Sequence, residues 1–405
     1  MNKETPKGWK QYRLNDLFII NPPKDNISND TEVSFIAMKD VSDAGYLISS
    51  EVKRFEEVKN GYTYFKNDDV ILAKITPCFE NGKMAVLLNL TNNYGVGSTE
   101  FYVFRKRPNA NILPQILYYI FKEPSFRKNA IMHMSGAAGQ KRVQRKFLEY
   151  YPLSIPLTTA EQQEIVQVLD TMNDIIRLRK ECISHAQDLI PALFQEMFGN
   201  PLTNDKNLPI VRIDTVTKVV SGGTPSTQNS EYWDGDIIWL TPKDLSGYNS
   251  MYISKGERNI TDLGYKKSSA QMMPKGSVLF TSRAPIGYVA IADTDLCTNQ
   301  GFKSFIPTEA IKSEYLYQLL KMSKEKIINM SSGATFKEIS GGRIKELKIP
   351  LPPIELQEQF AEKVRGINSY IKEQRDELEN AKQMFQSLLH HAFTGELTRR
   401  AYGKN

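Results

Sequence analysis

The stretch KIPLPPIELQEQFA at 348–361 echoes SIPLTTAEQQEI at 154–165. In each, an Ile-Pro pair ends a strand, a short turn follows, and a Gln/Glu-rich run with helical spacing begins. The prolines (Pro156; Pro350, Pro352 and Pro353) stop the strand and pre-set the helix start. One strand end and helix start written twice predicts an internal duplication.

The likeness extends outward from this pair in constant order. FIAMKDVS (35–42) is matched by IWLTPKDLS (238–246), DVILAKITP (69–77) by SVLFTSRAP (277–285), STEFYVF (98–104) by NQGFKSF (299–305), and MSGA (134–137) by SSGA (331–334). Drifting offsets are those of two copies of one fold whose loops have gained and lost residues. Within each copy, short β-branched and aromatic runs such as VSFIAM, DVILAKI, GDIIWL and GSVLF are punctuated by Gly, Pro, Asn and Asp, which predicts a β-rich α/β domain with long loops.

The segment after each domain is different in kind. Apolar residues recur every three or four positions. The first seam is read as Ile165, Val168, Met172, Ile175, Arg179, Cys182, Ala186, Leu189 and Leu193. The second is read as Phe360, Val364, Ile367, Ile371, Gln374, Leu378, Ala381, Phe385, Leu388 and Ala392. Sustained heptads predict long helices that pair as a coiled coil. A homodimerisation coil would use the same pattern. Two seams in one chain with a globular segment between them favour antiparallel pairing within the chain, with a domain at each end of a rod. The predicted boundaries are 1–157 and 201–350 for the domains, and 158–200 and 351–405 for the helices. Pro191 is expected to kink the first helix near its end.

Composition is that of a globular protein, with 40% hydrophobic and 24% charged residues. No apolar run approaches membrane-spanning length, and the polar, basic start MNKETPKGWK is unlike a signal peptide. Cys78, Cys182 and Cys297 lie far apart, which suggests neither a disulfide framework nor a CxxC metal site, so a reduced, cytoplasmic protein is expected. The basic excess lies in the two domains: 22 Lys+Arg against 16 Asp+Glu over 1–157, and 19 against 15 over 201–350. The helical segments are acidic (3 against 7 over 158–200) or balanced (8 against 8 over 351–405). A polyanion would therefore be gripped by the domains and spanned by the helices.

The candidate grip is a set of polar loops at matching places in the two copies. They carry Lys39 and Lys243; Lys74, Thr76 and Lys83, with Ser282 and Arg283; Ser98 and Thr99, with Asn299, Gln300 and Lys303; Gln140, Lys141 and Arg142, with Thr335 and Lys337; and Thr224 in SGGTP. Such side chains bond phosphates and base edges, and the Gly, Ser and Ala beside them let a backbone approach closely. Arg283, in the loop after GSVLF, can reach guanine with two donors, whereas Lys303 suits a phosphate as a point charge.

Motifs that suggest catalysis are incomplete. Asn21-Pro22-Pro23 resembles the N/D-P-P-aromatic loop of adenine methyltransferases, but Lys24 replaces the aromatic and no glycine-rich cofactor loop precedes it. It aligns with Ser221-Gly222-Gly223-Thr224-Pro225, so a turn is expected. Glu51-Val52-Lys53 with Asp40 upstream imitates a metal nuclease D…ExK set that the second copy lacks. No GxxxxGK[ST] loop exists, and His133, His185, His390 and His391 have no zinc spacing. These features point to a binder with no chemistry of its own, as against a DNA methyltransferase or nuclease, or a coiled-coil scaffold that binds protein alone.

Together, GSVLFTSRAPIGYVAI (276–291), NQGFKSF, SSGAT (331–335), LKIPLPPIELQEQFAEKV (347–364) and LLHHAFTGELT (388–398) resemble the specificity subunit of type I restriction–modification enzymes. With weaker first-copy counterparts the resemblance covers the whole chain; the first copy departs more, with KITPCFENGK in place of TSRAPIGY. It implies an α+β fold of two β-rich α/β target recognition domains, joined by two long antiparallel coiled-coil helices in an internal pseudo-twofold repeat. It further implies that the chain is no enzyme and binds no cofactor or metal. It would recognise a split, asymmetric double-stranded DNA site. Two modification (methyltransferase) subunits would bring S-adenosylmethionine, and restriction subunits would bring ATP and Mg.

Overall fold

The structure, a computed structural model, describes residues 5–137, 139–283, 285–331 and 337–397. The fold is α+β, and the chain divides into two compact units, Met1–Leu178 with Leu378–Asn405, and Arg179–Glu377. Two long helices, Thr159–Phe198 and Ile354–Thr394, each give one part to each unit.

In the first unit, β1 (Trp9–Arg13) pairs antiparallel with β12 (Pro152–Pro156). A four-stranded antiparallel sheet runs β2 (Phe18–Ile20), β9 (Phe101–Lys106), β6 (Val70–Ala73), β7 (Met84–Val86). A second runs β4 (Glu51–Arg54), β3 (Glu32–Ile36), β8 (Tyr94–Gly97), β5 (Thr63–Lys66), with β3 and β8 parallel. A short ribbon joins β10 (Met134–Ser135) to β11 (Arg142–Val143).

The second unit repeats the plan. Here β13 (Ile210–Arg212) pairs with β22 (Lys348–Pro350). One sheet runs β14 (Thr217–Ser221), β21 (Lys303–Pro307), β18 (Val278–Phe280), β19 (Val289–Ala292), β16 (Tyr252–Ile253). The other runs β17 (Arg258–Ile260), β15 (Trp233–Leu240), β20 (Cys297–Thr298), with β15 and β20 parallel.

Period-two alternation explains why the central strands are apolar throughout. Along β6, Val70 and Leu72 face a core shared with helix Pro114–Lys122 and the long helices, while Ile71 and Ala73 face the second sheet through Ile36 and Phe65. In the second unit, Val278 and Phe280 face helix Ser313–Met322, and Leu279 faces Leu240 and Leu296.

The duplicated opening stretch has a shared structural purpose. Gln162 and Gln357, in the first turns of the long helices, are fully buried. The Gln162 amide donates to the carbonyls of Asn111 and Pro156 (both 3.0 Å) and accepts from the Leu113 N–H (2.8 Å). The Gln357 amide donates to the carbonyls of Ala310 (3.3 Å) and Pro352 (2.9 Å) and accepts from the Lys312 N–H (2.9 Å). Each glutamine thus ties its helix to the chain leaving the strand and to the start of a core helix.

Pairing of the long helices is antiparallel within each unit. In the first, Ile165 and Leu169 share a core with Phe385, Leu389 and Ala392. In the second, Phe194 and Phe198 pack on Phe360 (ring centroids 5.6 and 5.3 Å), and Arg179 bonds Gln374 (2.7 Å) and Glu377. The polar entries of the two seams meet each other. The second seam is buried at Phe360, Val364, Ile371, Leu378, Ala381, Phe385 and Ala392, with Ile367, Gln374 and Leu388 half-buried and Leu389 buried beside it; the first is corrected. Val168, Cys182 and Leu189 are exposed and their neighbours Leu169 and Ile190 are buried instead, whereas Ile165 and Ala186 are buried as read. The pairs Val168-Leu169, Ile175-Ile176, Cys182-Ile183 and Leu189-Ile190 are all apolar, so periodicity alone permits either register. Gln162 sets the rotation, placing Ile165 and Leu169 on its own face, and the helix continues through Pro191 to Phe198.

Replacing Gln357 by methionine keeps the volume and removes every bond of the clamp. Leaving buried groups unpaired costs about 1–3 kcal/mol each. The expected loss of about 3 kcal/mol should lower the calorimetric melting temperature by about 5 °C or more. An unchanged melt would show that the clamp contributes nothing to stability.

Candidate nucleic-acid interface

The site is assembled where parallel strands end. β3 and β8 finish side by side, and the Ser98 N–H donates to the Ile36 carbonyl (3.3 Å). β15 and β20 do the same, with the Asn299 N–H on the Leu240 carbonyl (2.8 Å). Loops 37–42 and 98–100 therefore leave one edge together, as do loops 241–246 and 299–301. In both copies the aspartate of the KD pair holds the turn. Asp40 accepts from the Ala37 N–H (2.8 Å) and the Ser49 hydroxyl (3.1 Å), and Asp244 from the N–H groups of Thr241 and Glu257 (both 2.7 Å). The lysines beside them are exposed; Lys243 pairs with Glu257 at 2.7 Å.

In the first unit three loops converge. The Lys74 N–H donates to the Glu100 carbonyl (2.9 Å), the Thr76 N–H to the Lys141 carbonyl (2.9 Å) and the Val143 N–H to the Lys74 carbonyl (2.9 Å). This gathers Lys74, Thr76, Ser98, Thr99, Gln140, Lys141 and Arg142. Lys74 lies 5.3 Å from the centre of the Tyr102 ring, and the Thr76 hydroxyl donates to Glu80 (2.8 Å). Ser98 accepts from the Glu100 N–H (3.2 Å), and Thr99, Gln140 and Lys141 are exposed. Arg142 grips Glu100 through Nε (2.9 Å) and Nη2 (2.8 Å), and this bond holds the Glu100 carboxyl below the usual range.

The second unit repeats the junction. The Ser282 N–H donates to the Gly301 carbonyl (2.7 Å), and the Ile339 N–H to the Ser282 carbonyl (3.0 Å). Arg283 lies opposite Glu338 in a bridge, 3.5 Å from its carboxylate. Burial pushes the Lys303 amine down, with Glu338 opposing and Arg283 adding to the effect. Asn299 accepts from the Gly301 N–H (2.9 Å), Gln300 bonds the Thr224 hydroxyl, and Lys337 is exposed. Thr335 lies outside the described residues.

Two candidates are corrected. Ser282 is fully buried, its hydroxyl donating to the Gly301 carbonyl (3.1 Å), because the strand it continues runs into the core. Lys83 is largely buried and holds the next turn through the Val41 carbonyl and Asp43 (3.3 Å). The loop clusters also hold Glu100 and Glu338, and the buried Tyr102 lies beneath the first. A search for cationic loops passes over acids and aromatics; the one signal was the position of Glu100 in GSTE beside the matched NQG.

The enzyme-like motifs serve structure. Asn21 clamps Val103, its N–H donating (2.7 Å) and its side chain accepting (3.0 Å), so the NPP run is a turn. Lys53 pairs with Glu51 at 3.2 Å and lies over the Phe35 ring at 4.2 Å. Among the described residues no cluster of three or more His, Cys, Asp or Glu could hold a metal.

Close packing at the SGGTP turn gives a test. A Cβ on Gly222 would lie 2.0 Å from the Asn299 carbonyl, whereas Gly366 faces open space. Gly222→Ala should displace loop 298–300 and weaken duplex DNA binding roughly tenfold, about 1.4 kcal/mol, relative to Gly366→Ala. Fluorescence anisotropy titration measures it, and equal affinities would remove this loop from the interface.

Comparison with known proteins adds four findings. The family model described as "Type I restriction modification DNA specificity domain" matches residues 6–185 and again 206–380. The MjaIX specificity subunit of Methanocaldococcus jannaschii is 49% identical over 158 residues, 38% of this chain and 37% of that protein. The EcoAI specificity subunit of Escherichia coli is 36% identical over 209 residues, 51% of this chain and 34% of that protein. The matched stretches thus span little more than a third of these curated relatives. A solved structure of the type I R-M system superposes with a TM-score of 0.59 at 18% identity, covering 97% of this chain and 100% of that one, and shares the fold.

Proposed function

The chain belongs to the type I restriction–modification DNA specificity family, and from that premise we propose that it is the sequence-reading, non-catalytic subunit of such a system. Each unit would read one half of a split, asymmetric site in double-stranded DNA, and partners would modify or cleave. The observation that carries this reading is the recurrence, at one backbone junction in both units, of a loop cluster bearing exposed cationic and amide side chains. Phosphate contacts by Lys39, Lys141, Lys243, Lys303 and Lys337 would position the duplex, and Arg142, Arg283, Asn299 and Gln300 would face base edges. Divergence of the loops between units suits unlike half-sites.

The family carries no catalysis or cofactor of its own and works within a type I assembly. In this reading two modification subunits supply S-adenosylmethionine and methylate adenine, and restriction subunits supply ATP-driven translocation and cleavage with Mg. No described helix is long and apolar enough to cross a membrane, and the proposed place of action is the cytoplasm, where the DNA is. The paired long helices would set the gap between half-sites.

Exchanging residues 1–157 for the same region of a relative should change one half of the methylated sequence and leave the other intact. Single-molecule methylome sequencing of a host carrying the chimaera reads both halves. A change in both together would refute independent half-site recognition.

A heptad inserted beside Arg177, with a matching heptad beside Gln374, keeps the seam in register and adds about 10 Å of helix. The gap in the methylated site should grow by roughly three base pairs, at 3.4 Å per pair. Methylation at the original gap would show that the helices do not measure it.

A further inference from the structure

The repeat permits a position-by-position comparison of the two loop junctions. The same backbone bonds equate Lys74 with Ser282 and Glu100 with Gly301, and the two bridges equate Ile75 with Arg283 and Arg142 with Glu338. Both junctions carry an arginine–glutamate couple, yet they build it from different positions. In the first unit the acid stands where the second has glycine, and the arginine stands where the second has its acid. In the second unit the arginine stands where the first has isoleucine. One spot in each unit thus holds an arginine–glutamate couple, built from non-equivalent positions.

The bond geometry shows what such a couple can do. Arg142 presents its Nε side to Glu100, using Nε and one N–H of Nη2. The outer edge of the guanidinium, Nη1 with the second N–H of Nη2, stays turned away from the carboxylate; Nη1 makes a long bond to the Gln140 carbonyl at 3.3 Å. That outer edge is the two-donor fork that matches O6 and N7 of guanine in the major groove. A carboxylate on the inner edge fixes the plane of a side chain that otherwise pays rotamer entropy on binding. The Arg142 side chain is 42% exposed, so the fork is accessible.

We propose that Glu100 is a positioning residue that holds Arg142 as the guanine reader of the first unit, and that Glu338 holds Arg283 in the same way in the second. The second couple is looser, a single 3.5 Å contact against two bonds under 3 Å. The first half-site is therefore read more stringently at its guanine. This inference rests on the DNA-reading function proposed above.

The test uses the full chain assembled with its modification subunits, titrated on the cognate duplex and on every single base-pair substitution of it, at several salt concentrations. Arg142→Ala should lose roughly tenfold or more of the cognate preference at one G·C pair. Glu100→Gln should lose about threefold or more at the same pair, with the slope of log affinity against log salt unchanged, because no phosphate contact is lost. Glu100→Asp should restore part of the preference, a rescue that a merely stabilising carboxylate would not give at one base pair. Glu338→Gln should lose less, at a pair in the other half-site. Thermal melts of the variants check that each is folded. If Arg142→Ala loses one base pair's preference while Glu100→Gln loses none, the positioning role is overturned and the reading function stands. If Glu100→Gln tightens binding to every duplex equally, Glu100 only repels phosphate and the inference is again overturned. If the wild-type assembly prefers no sequence, the proposed function itself fails, and the inference with it.

Discussion

Two buried glutamines hold this architecture together. Gln162 and Gln357 each satisfy a buried carbonyl of the chain leaving the strand, a loop carbonyl and the N–H that precedes a core helix. An amide suits the task because it donates and accepts at one site without the charge that would make full burial costly. Each sits one turn into a long helix, so the bond that ties strand to domain also sets the rotation of that helix's first turns.

From that anchor the sheets position the working loops. Strands buried on both faces cannot shift register without placing every side chain on the wrong side. The parallel pairs β3 with β8 and β15 with β20 bring two loops out at one edge of each unit. A third chain segment, 140–143 or 338–339, is bonded to the loop that follows the central strand. The rigid part ends in backbone hydrogen bonds, and the side chains beyond it are free to differ. That division explains how the two copies keep one junction while carrying different chemistry: Lys74 beside Tyr102 and a gripped Arg142 in one, a buried Ser282, Arg283 and a half-buried Lys303 in the other.

Half-exposed couples such as Arg142–Glu100 and Arg283–Glu338 contribute little to folding, because water and salt screen them. Their place at the junction is better understood through what they orient. The Asp40 and Asp244 carboxylates show the complementary case: they bond backbone N–H groups and shape the turn, leaving the neighbouring lysine to face solvent.

Much of this was legible in the sequence. The duplication, the β-rich domains, the paired long helices and the basic bias of the domains come from repeat order, alternation, heptad spacing and charge, all of which are local or additive along the chain. The same holds for most of the second seam, where Phe360, Val364, Ile371, Leu378 and Phe385 are buried as read, while Leu389 takes the buried place that the spacing gave to Leu388. The first seam was ambiguous because Val168-Leu169 and Leu189-Ile190 fit either register; the long-range bonds of Gln162 to Asn111 and Leu113 go with Leu169 in the core of the first unit, and packing beside Phe194 and Phe360 places Ile190 in the core of the second. The tertiary structure also decided which polar loop residues can meet a ligand. Ser282 and Lys83 have the right chemistry for an interface, yet one is enclosed by the core and the other is held by Val41 and Asp43. Residue type and spacing state what a side chain can bond. Which partner it bonds depends on what the fold brings within 3 Å, and for Glu100 and Arg142, forty-two positions apart, no local pattern carries that information.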